Sequence, residues 1–190
     1  MQLGLIKALY TDQLSKVYNY GEAENLFYIT LQWLDKKSKT AVILGQETLL
    51  VETYQMVLEE LLLGKPIQYV TREAPFYGLN LYVDERVLIP RPETEQLVHW
   101  LIQDNPKFKG TVLDIGTGSG CIPVVLSKHW PEALLSGCDI STDALAVAEK
   151  NAKDQEVDVT FIQKDILTQE LDEYDIIISN PPYIGRSEKH

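Results

Sequence analysis

The sequence predicts an α/β protein in which a small N-terminal helical bundle precedes an open parallel sheet. Three observations predict this architecture. Apolar residues recur at helical spacing through most of the segment 1–73. From residue 111 on, short apolar runs alternate with helical patterns, as in parallel sheets with crossover helices. A glycine-rich loop at 116–120 also stands between a strand and a helix, where a backbone can approach a ligand closely.

The composition is that of an ordinary globular protein, since 45% of the 190 residues are apolar and 24% are charged. A net charge of −11 argues against a broad electrostatic grip on nucleic acid, because phosphate binding rests on clustered Lys and Arg. No apolar run approaches the roughly 20 residues of a membrane span, and no secretory signal is recognisable at the N-terminus. Cys121 and Cys138 lack metal-ligand spacing and are expected to be reduced core residues. We therefore expect a cytoplasmic protein without a metal site.

Residues 1–73 are expected to form a helical domain with no catalytic constellation of its own. Two amphipathic segments separated by Gly21 come first, and a short piece follows at 40–44. A further helix at 51–63 has its apolar residues on one face and is ended by Gly64. Four such segments can close a small bundle.

Residues 74–90 are expected to form a β-hairpin linker. The segment 76–83 alternates between apolar and polar residues, and 84–86 is expected to turn the chain into a second strand at 87–89. The third domain is then expected at 91–190. It opens with a helix that has Pro92 in its first turn and acidic residues near its positive end.

Ligand-facing groups follow three successive predicted strands, at 111–115, 134–138 and 157–162. The first strand leads into the glycine loop, whose G-x-G-x-G spacing is one residue short of the dinucleotide fingerprint. The second leads to Asp139, whose carboxylate can accept two ribose hydroxyls, and Ser141 is expected to cap the next helix. The third leads to Asp165 and Ile166. Either of these acids alone can be a helix cap or a surface charge, but ligand-facing groups at all three strand ends indicate a site at the carboxyl edge of an open sheet.

A fourth apolar run at 174–178 is typical of a fully buried parallel strand, and it ends in an unusual turn, Ser179-Asn180-Pro181-Pro182-Tyr183. The two prolines stiffen the backbone and remove two amide donors, so the carbonyls there remain free to accept. Asn180 adds a side-chain carbonyl and Tyr183 adds a flat ring. Such a set of acceptors suits a planar NH₂ group, although a tight turn alone also uses these residue types.

These motifs together resemble a known family. Residues Asp114 to Gly120 with Asp139 are similar to the cofactor site of class I S-adenosylmethionine methyltransferases, and Asn180-Pro181-Pro182-Tyr183 resembles the motif of those that methylate planar nitrogen. The elements 64–69, 76–78 and 87–95 narrow the resemblance to the peptide chain release factor N5-glutamine methyltransferases, the PrmC/HemK family. It extends over essentially the whole chain, in family order.

The resemblance implies an N-terminal substrate-recognition domain and a Rossmann-like catalytic domain. It also implies methyl transfer from S-adenosylmethionine to the glutamine of the Gly-Gly-Gln motif in a class I release factor, with no direct contact to nucleic acid or membrane. Asp139 would hold the ribose and Asp165 or Ile166 would lie by the adenine. Because the family often has an aromatic residue at position 166, Ile166 should stack less well. The remaining implied cofactor residues are Asp114, Gly116, Thr117, Gly118, Ser119, Gly120 and Asn180.

The expected mechanism is orientation of a poor nucleophile. Asn180 Oδ1 and the Pro181 carbonyl would accept both N–H groups of the substrate amide, with Pro182 stiffening the corner and Tyr183 packing on the amide plane. These four residues are the implied catalytic and substrate-binding set.

Family members continue beyond this motif, so we expect the chain to be a truncated form whose fourth strand has an uncovered edge. Adenine-N6 or guanine-N2 methyltransferases of nucleic acid would use the same Asn-Pro-Pro-Tyr chemistry on a flipped base. A nicotinamide-dependent oxidoreductase would share the glycine loop but leave that motif unexplained. A fragment that only binds cofactor or release factor is the non-enzymatic alternative.

Overall fold

The structure, a computed structural model, describes residues 1–180. Contacts divide the chain into two compact units, one spanning Met1–Arg72 and the other beginning at Glu73. Within the described residues, the first unit is entirely helical apart from an isolated bridge between Gln2 and Glu47. The described part of the second unit contains a two-stranded antiparallel sheet, a four-stranded parallel sheet and three helices. The α/β class predicted from the sequence is confirmed.

The first unit is built from α1 Leu3–Leu14, α2 Tyr20–Asp35, α3 Lys39–Ile43, α4 Val51–Leu62 and α5 Ile67–Thr71. Its core centres on three aromatic rings, since Tyr10 lies 5.6 Å from Phe27 and 6.1 Å from Tyr54 between ring centroids. Tyr10 also donates its hydroxyl proton to the Tyr54 carbonyl oxygen. The helix α5 is not among the four segments predicted from the sequence. The substrate-recognition role of this unit stays a prediction.

The hairpin consists of β1 Glu73–Phe76 and β2 Leu79–Tyr82, paired antiparallel, and it belongs to the second unit. The predicted position of its turn was wrong. The chain reverses at Tyr77 and Gly78, which have φ angles of 46° and 79°, as a two-residue turn that matches the strand twist requires. The segment 84–86 forms a separate turn in which Asp84 accepts hydrogen bonds from the Arg86 backbone and side chain. Residues 87–89 are not a strand.

The main sheet has the order β5-β4-β3-β6, and all its strands are parallel. Its elements in chain order are α6 Pro92–Asp104, β3 Thr111–Ile115, α7 Cys121–His129, β4 Leu134–Asp139, α8 Thr142–Asp154, β5 Thr160–Gln163 and β6 Ile176–Ser179. The helix α7 packs against α6, α8, β3 and β4. Residues 121–126 of this helix are all buried, so the helix carries apolar residues on almost every side. Cys121 and Cys138 are buried free thiols, as expected.

The register of the sheet brings the ends of three strands to one level. Ile115, the last residue of β3, stands opposite Cys138 of β4 on one side and Ser179 of β6 on the other. From β3 the chain continues to β4 and β5 on one side of the sheet, and β6 then lies on the other side of β3. The strand order therefore reverses at β3. In open parallel sheets the crevice at such a reversal, outside the carboxyl ends, is where ligands bind.

Two strand predictions need correction. β5 begins at Thr160 instead of Val157, because Val157 is held in the loop by a hydrogen bond from its backbone N–H to the Ala152 carbonyl. β6 is not fully buried, since Ile178 is 5% exposed but Ile177 is 53% exposed. The reason is position in the sheet: among the described residues β6 pairs with β3 alone and leaves its other edge unpaired, as the sequence predicted.

Candidate active site

The glycine loop between β3 and α7 is held against the end of β4 by backbone hydrogen bonds. Both Gly116 N–H and Thr117 N–H donate to the Cys138 carbonyl, at 2.8 and 3.0 Å. Gly116 and Gly118 have φ angles of 70° and 54°, which side chains rarely adopt. A Cβ at either position would meet no atom within 4 Å, so the loop has an open face at these two residues.

Gly120 has a different role in the same loop. A Cβ there would lie 2.9 Å from Ala148 Cβ and 3.2 Å from Phe161 Cζ. This glycine therefore serves the packing of α8 and β5 against the loop, and it does not offer an open face. The sequence prediction treated it as a cofactor residue together with Gly116 and Gly118, and that role stays a prediction.

Asp139 joins the end of β4 to the glycine loop. One carboxylate oxygen accepts a hydrogen bond from Gly118 N–H at 3.0 Å, and the other accepts from Ser141 N–H at 3.0 Å. Ser141 in turn caps α8 by accepting a hydrogen bond from Ala144 N–H, as predicted. Each Asp139 oxygen retains a lone pair for a further donor, so the two hydroxyls of a ribose remain compatible with this arrangement.

An open cleft lies beside the loop. One wall is the loop itself together with Asp114 and the start of α7, and another is the segment 88–91 with Thr94 of α6. Asn180, which follows β6, completes the lining. The loop and Asn180 were both predicted as site residues, and the structure brings them to the same cleft. The wall at 88–91 was not assigned a role from the sequence, although this segment carried part of the family resemblance.

Asp114 lies in the cleft as a buried carboxyl group. Its side chain belongs to a residue only 2% exposed, and its Oδ2 atom has no hydrogen-bond partner among the described residues. Burial, with a contribution from the negative charge of Asp139, raises the pKa of Asp114 to about 7. The Thr117 hydroxyl faces this carboxyl group and offsets part of the rise in its pKa, but the two groups do not reach hydrogen-bond geometry, so both buried atoms lack a partner among residues 1–180. Buried polar atoms of this kind beside a cleft are candidates for hydrogen bonds with a polar ligand or with water.

Asn180 is held by a contact that the sequence did not reveal. Its Nδ2 donates a hydrogen bond to Thr94 Oγ1 at 2.8 Å. Thr94 is a residue of α6 that is 5% exposed, and it lies 86 positions earlier in the chain. No described residue donates to Asn180 Oδ1, so this oxygen remains an available acceptor in the cleft.

A second residue missed at the sequence level is Asn151, which is 1% exposed on α8. Its side chain bonds both the N–H and the carbonyl of Tyr82, at 2.7 and 2.9 Å, and donates to the Ser119 carbonyl at 2.9 Å. It thereby ties the glycine loop to the hairpin. A polar residue inside the apolar face of a predicted helix was the only available signal.

The remaining predicted residues are less closely tied to the cleft. Asp165 uses Oδ1 to accept a hydrogen bond from Leu167 N–H in a tight turn, and Ile166 is 38% exposed. Neither lines the cleft, but Lys164 N–H donates to the Asp139 carbonyl at 3.0 Å and so places their loop next to Asp139. Their contact with an adenine stays a prediction. Pro181, Pro182 and Tyr183 lie outside the described residues.

Within residues 1–180 no group of three or more His, Cys, Asp or Glu side chains could hold a metal ion. A search of the same residues finds no helix long and apolar enough to span a membrane.

Comparison with known proteins places this geometry in context. The family model of the methyltransferase small domain matches residues 93–190. The release factor glutamine methyltransferase of Flavobacterium psychrophilum is 44% identical over 190 residues, which cover 95% of this chain and 67% of that protein. The protein of the same name from Streptococcus pneumoniae is also 44% identical, with 88% of this chain and 62% of that protein covered. The chain thus spans about two thirds of the length of these curated relatives.

Solved structures share the fold of part of this chain. The 16S rRNA N2 methyltransferase RsmC of T. thermophilus, solved with AdoMet and guanosine, matches with a TM-score of 0.51 at 20% identity. That match covers 59% of this chain and 32% of RsmC. Trm5b of Pyrococcus abyssi matches with a TM-score of 0.50 at 26% identity, covering 58% of this chain and 33% of that protein.

Proposed function

The chain belongs to the release factor glutamine methyltransferases, which are S-adenosylmethionine-dependent enzymes. We therefore propose that its cleft binds S-adenosylmethionine and presents the side-chain amide of a release factor glutamine to the methyl group. The single observation that carries the proposal is the meeting of Asn180 and the glycine loop at one cleft. A planar NH₂ acceptor and a methyl donor must be adjacent for transfer, and these two elements are the ones suited to hold them. The site in release factors would be the glutamine of the Gly-Gly-Gln motif, and the work of release factors in translation would place the reaction in the cytoplasm.

The residues present fit the cofactor. The open faces of Gly116 and Gly118 leave room for a ligand against the backbone, and the unsatisfied atoms of Asp114 and Thr117 can complete their hydrogen bonds with its polar groups. An ionised Asp114 would pair with a ligand ammonium group. Asp139 retains lone pairs for the ribose hydroxyls while it holds the loop at Gly118. S-adenosylmethionine supplies an electrophilic methyl group on a sulfonium centre.

The chemical problem lies with the acceptor. The lone pair of an amide nitrogen is delocalised into its carbonyl, so the nitrogen is a poor nucleophile and its proton is too weakly acidic for an ordinary base. Asn180 Oδ1 would accept one N–H of the substrate, and the Pro181 carbonyl would accept the other. These contacts would aim the nitrogen and stabilise the positive charge that grows on it during transfer.

Held against the glycine loop and Asp139, S-adenosylmethionine would supply its methyl group to the substrate nitrogen, and its sulfur would depart as a neutral thioether. The N-methylated amide then gives its extra proton to water. No residue needs to act as a general base before transfer, so catalysis rests on orientation and on preorganised acceptors.

Methylation of a purified release factor tests the proposal. The 190-residue chain is incubated with S-adenosylmethionine and release factor, and the tryptic peptide containing Gly-Gly-Gln is analysed by mass spectrometry. One added methyl group on the glutamine is expected, and a release factor carrying Asn in place of that glutamine serves as the control. Methylation of adenine in DNA or guanine in RNA, with none on the release factor, would overturn the substrate assignment. Cofactor binding by calorimetry without any methyl transfer would leave a binding fragment instead of an enzyme.

The role of Asn180 is tested with the Asn180→Ala variant. Turnover should fall about a hundredfold or more, which is the size of effect seen when one preorganised stabilising group is removed. The dissociation constant for S-adenosylmethionine should stay nearly unchanged. Asn80→Ala on the exposed hairpin is the matched control and should retain full turnover. A loss of cofactor affinity as large as the loss of turnover in Asn180→Ala would assign Asn180 to cofactor binding alone.

A further inference from the structure

The hydrogen bond between Asn180 and Thr94 connects two separate elements of the cleft. Asn180 follows β6, and Thr94 is the third residue of α6, and both line the same cleft. The 2.8 Å distance from Nδ2 to Oγ1 is typical of a well-formed bond. The contact therefore joins the far end of the sheet to the helix that carries the opposite wall.

The two partners differ in how firmly the fold holds them. Thr94 lies in the first turn of a 13-residue helix that starts with Pro92, and it is almost fully buried. Asn180 is an exposed residue beyond a strand that has β3 as its one neighbour in the described part of the chain. Thr94 is thus the fixed partner, and Asn180 is the one whose position depends on the bond.

The Thr94 hydroxyl is not required for the helix itself. α6 has no side-chain capping bond at its start, and among residues 1–180 the hydrogen bond to Asn180 is the one that the Thr94 side chain makes. The buried hydroxyl of Thr94 thus does not cap the helix and instead bonds the side-chain amide of a cleft residue. This points to a function in the cleft.

We propose that Thr94 is a positioning residue that anchors the Asn180 side chain by accepting its Nδ2–H, so that Oδ1 is the end offered to the acceptor NH₂ group. The catalytic consequence rests on the function proposed above. The anchoring itself is a property of the chain that can be measured without turnover.

The chemistry explains why a hydroxyl suits this position. The hydroxyl of Thr94 accepts from Nδ2, so the Oδ1 end of the Asn180 amide is left for another donor. A substrate NH₂ group supplies only donors, and it pairs with the orientation in which Oδ1 faces it. Thr94 then holds the opposite end of the Asn180 amide. A valine at position 94 keeps the shape of the side chain but can hold neither end.

The anchoring is tested by NMR of the side-chain amide of Asn180 in the ¹⁵N-labelled chain, with the signals assigned by their loss in Asn180→Ala. In Thr94→Val the hydrogen-bonded proton should move upfield and exchange faster with water, while Thr94→Ser should keep the wild-type pattern. Thr142→Val, a change in the first turn of α8, is the matched control and should leave the signals in place. Unchanged Asn180 signals in Thr94→Val would overturn the proposal.

The catalytic consequence is tested by steady-state kinetics. Thr94→Val should lower kcat about tenfold, the equivalent of one hydrogen bond of typical strength, and leave the affinity for S-adenosylmethionine within about twofold. Thr94→Ser should restore most of the rate. A full rate in Thr94→Val, despite altered Asn180 signals, would remove Thr94 from the reaction. If no variant, including wild type, transfers methyl to a release factor, the proposed function fails, and the NMR result alone decides whether Thr94 anchors Asn180.

Discussion

Asn151 on α8 donates a hydrogen bond to the carbonyl oxygen of Ser119 at 2.9 Å, and this bond ties the glycine loop to the helix behind it. The same side chain bonds the backbone of Tyr82 through both of its ends. One buried amide thus connects α8, the hairpin and the loop that lines the cleft. Its removal should affect both stability and ligand binding.

We expect Asn151→Ala to lower the free energy of unfolding of the second unit by roughly 3 kcal/mol, since it removes the three hydrogen bonds of a buried side chain, worth about 1 kcal/mol each. Urea denaturation followed by the fluorescence of buried Trp130, with Trp33 and Trp100 replaced by Phe, measures this. Asn105→Ala removes a single bond to the Leu101 carbonyl and should cost no more than about 1 kcal/mol. Equal losses of stability in the two variants would contradict the role of Asn151 as a clamp, meaning the side chain that connects α8, the hairpin and the glycine loop.

The two glycines Gly118 and Gly120 should respond differently to alanine. Gly118→Ala meets open space, so its cost to folding is limited to the backbone strain of its positive φ, about 1 kcal/mol. Its added methyl group intrudes on the open face, and S-adenosylmethionine affinity should fall at least about tenfold. Gly120→Ala adds a clash with Ala148 and should cost roughly 3 kcal/mol of stability. Calorimetry and urea denaturation of both variants check this, and a reversed order would contradict the assigned roles.

Asp139→Ala should weaken S-adenosylmethionine binding at least about tenfold. The carboxylate accepts hydrogen bonds from Gly118 and Ser141, and charge-assisted bonds of this kind contribute about 1.5–3 kcal/mol. The variant loses the support of the loop as well as the acceptors for ribose. Asp143→Ala, in the first turn of α8, is the control and should bind normally. Isothermal titration calorimetry separates them, and wild-type affinity in Asp139→Ala would count against the ribose assignment.

Asp114 should make the stability of the ligand-free chain depend on pH. Burial raises the pKa of Asp114 from its ordinary 3.8 to about 7, so the folded state binds the proton more tightly than the unfolded state. Stability should therefore be highest with respect to this group below pH 4 and should fall as the pH rises towards 7. At about 1.4 kcal/mol per unit, the loss is at most roughly 4 kcal/mol.

Asp114→Asn removes this titration. Its free energy of unfolding relative to wild type should rise between pH 5 and pH 8, as measured by urea denaturation at each pH. Asp104→Asn, at the end of α6, is the control and should show no such divergence. A constant difference between Asp114→Asn and wild type across this range would show that Asp114 does not titrate there.

Local signals in the sequence predicted many of the elements well. Pro92 begins α6, Ser141 caps α8, and the strand, glycine loop and helix at 111–121 lie where they were predicted. These signals act within one turn or one strand, so neighbouring residues are enough to specify them. The hairpin turn was predicted at the wrong place because the segment 84–86 has the composition of a turn. The actual reversal places Tyr77 at a positive φ, which a tyrosine in the sequence does not indicate.

The fold class, the family and the residues at the strand ends can be read from the sequence alone, because apolar periodicity and short motifs carry that information locally. How these residues work together depends on contacts that form in the folded chain. The bond from Asn180 to Thr94 spans 86 positions, the clamp from Asn151 to Tyr82 spans 69, and the raised pKa of Asp114 depends on what buries it. Such contacts join side chains whose separation follows no period, so they exist only once the sheet has set its register and the helices have packed on it.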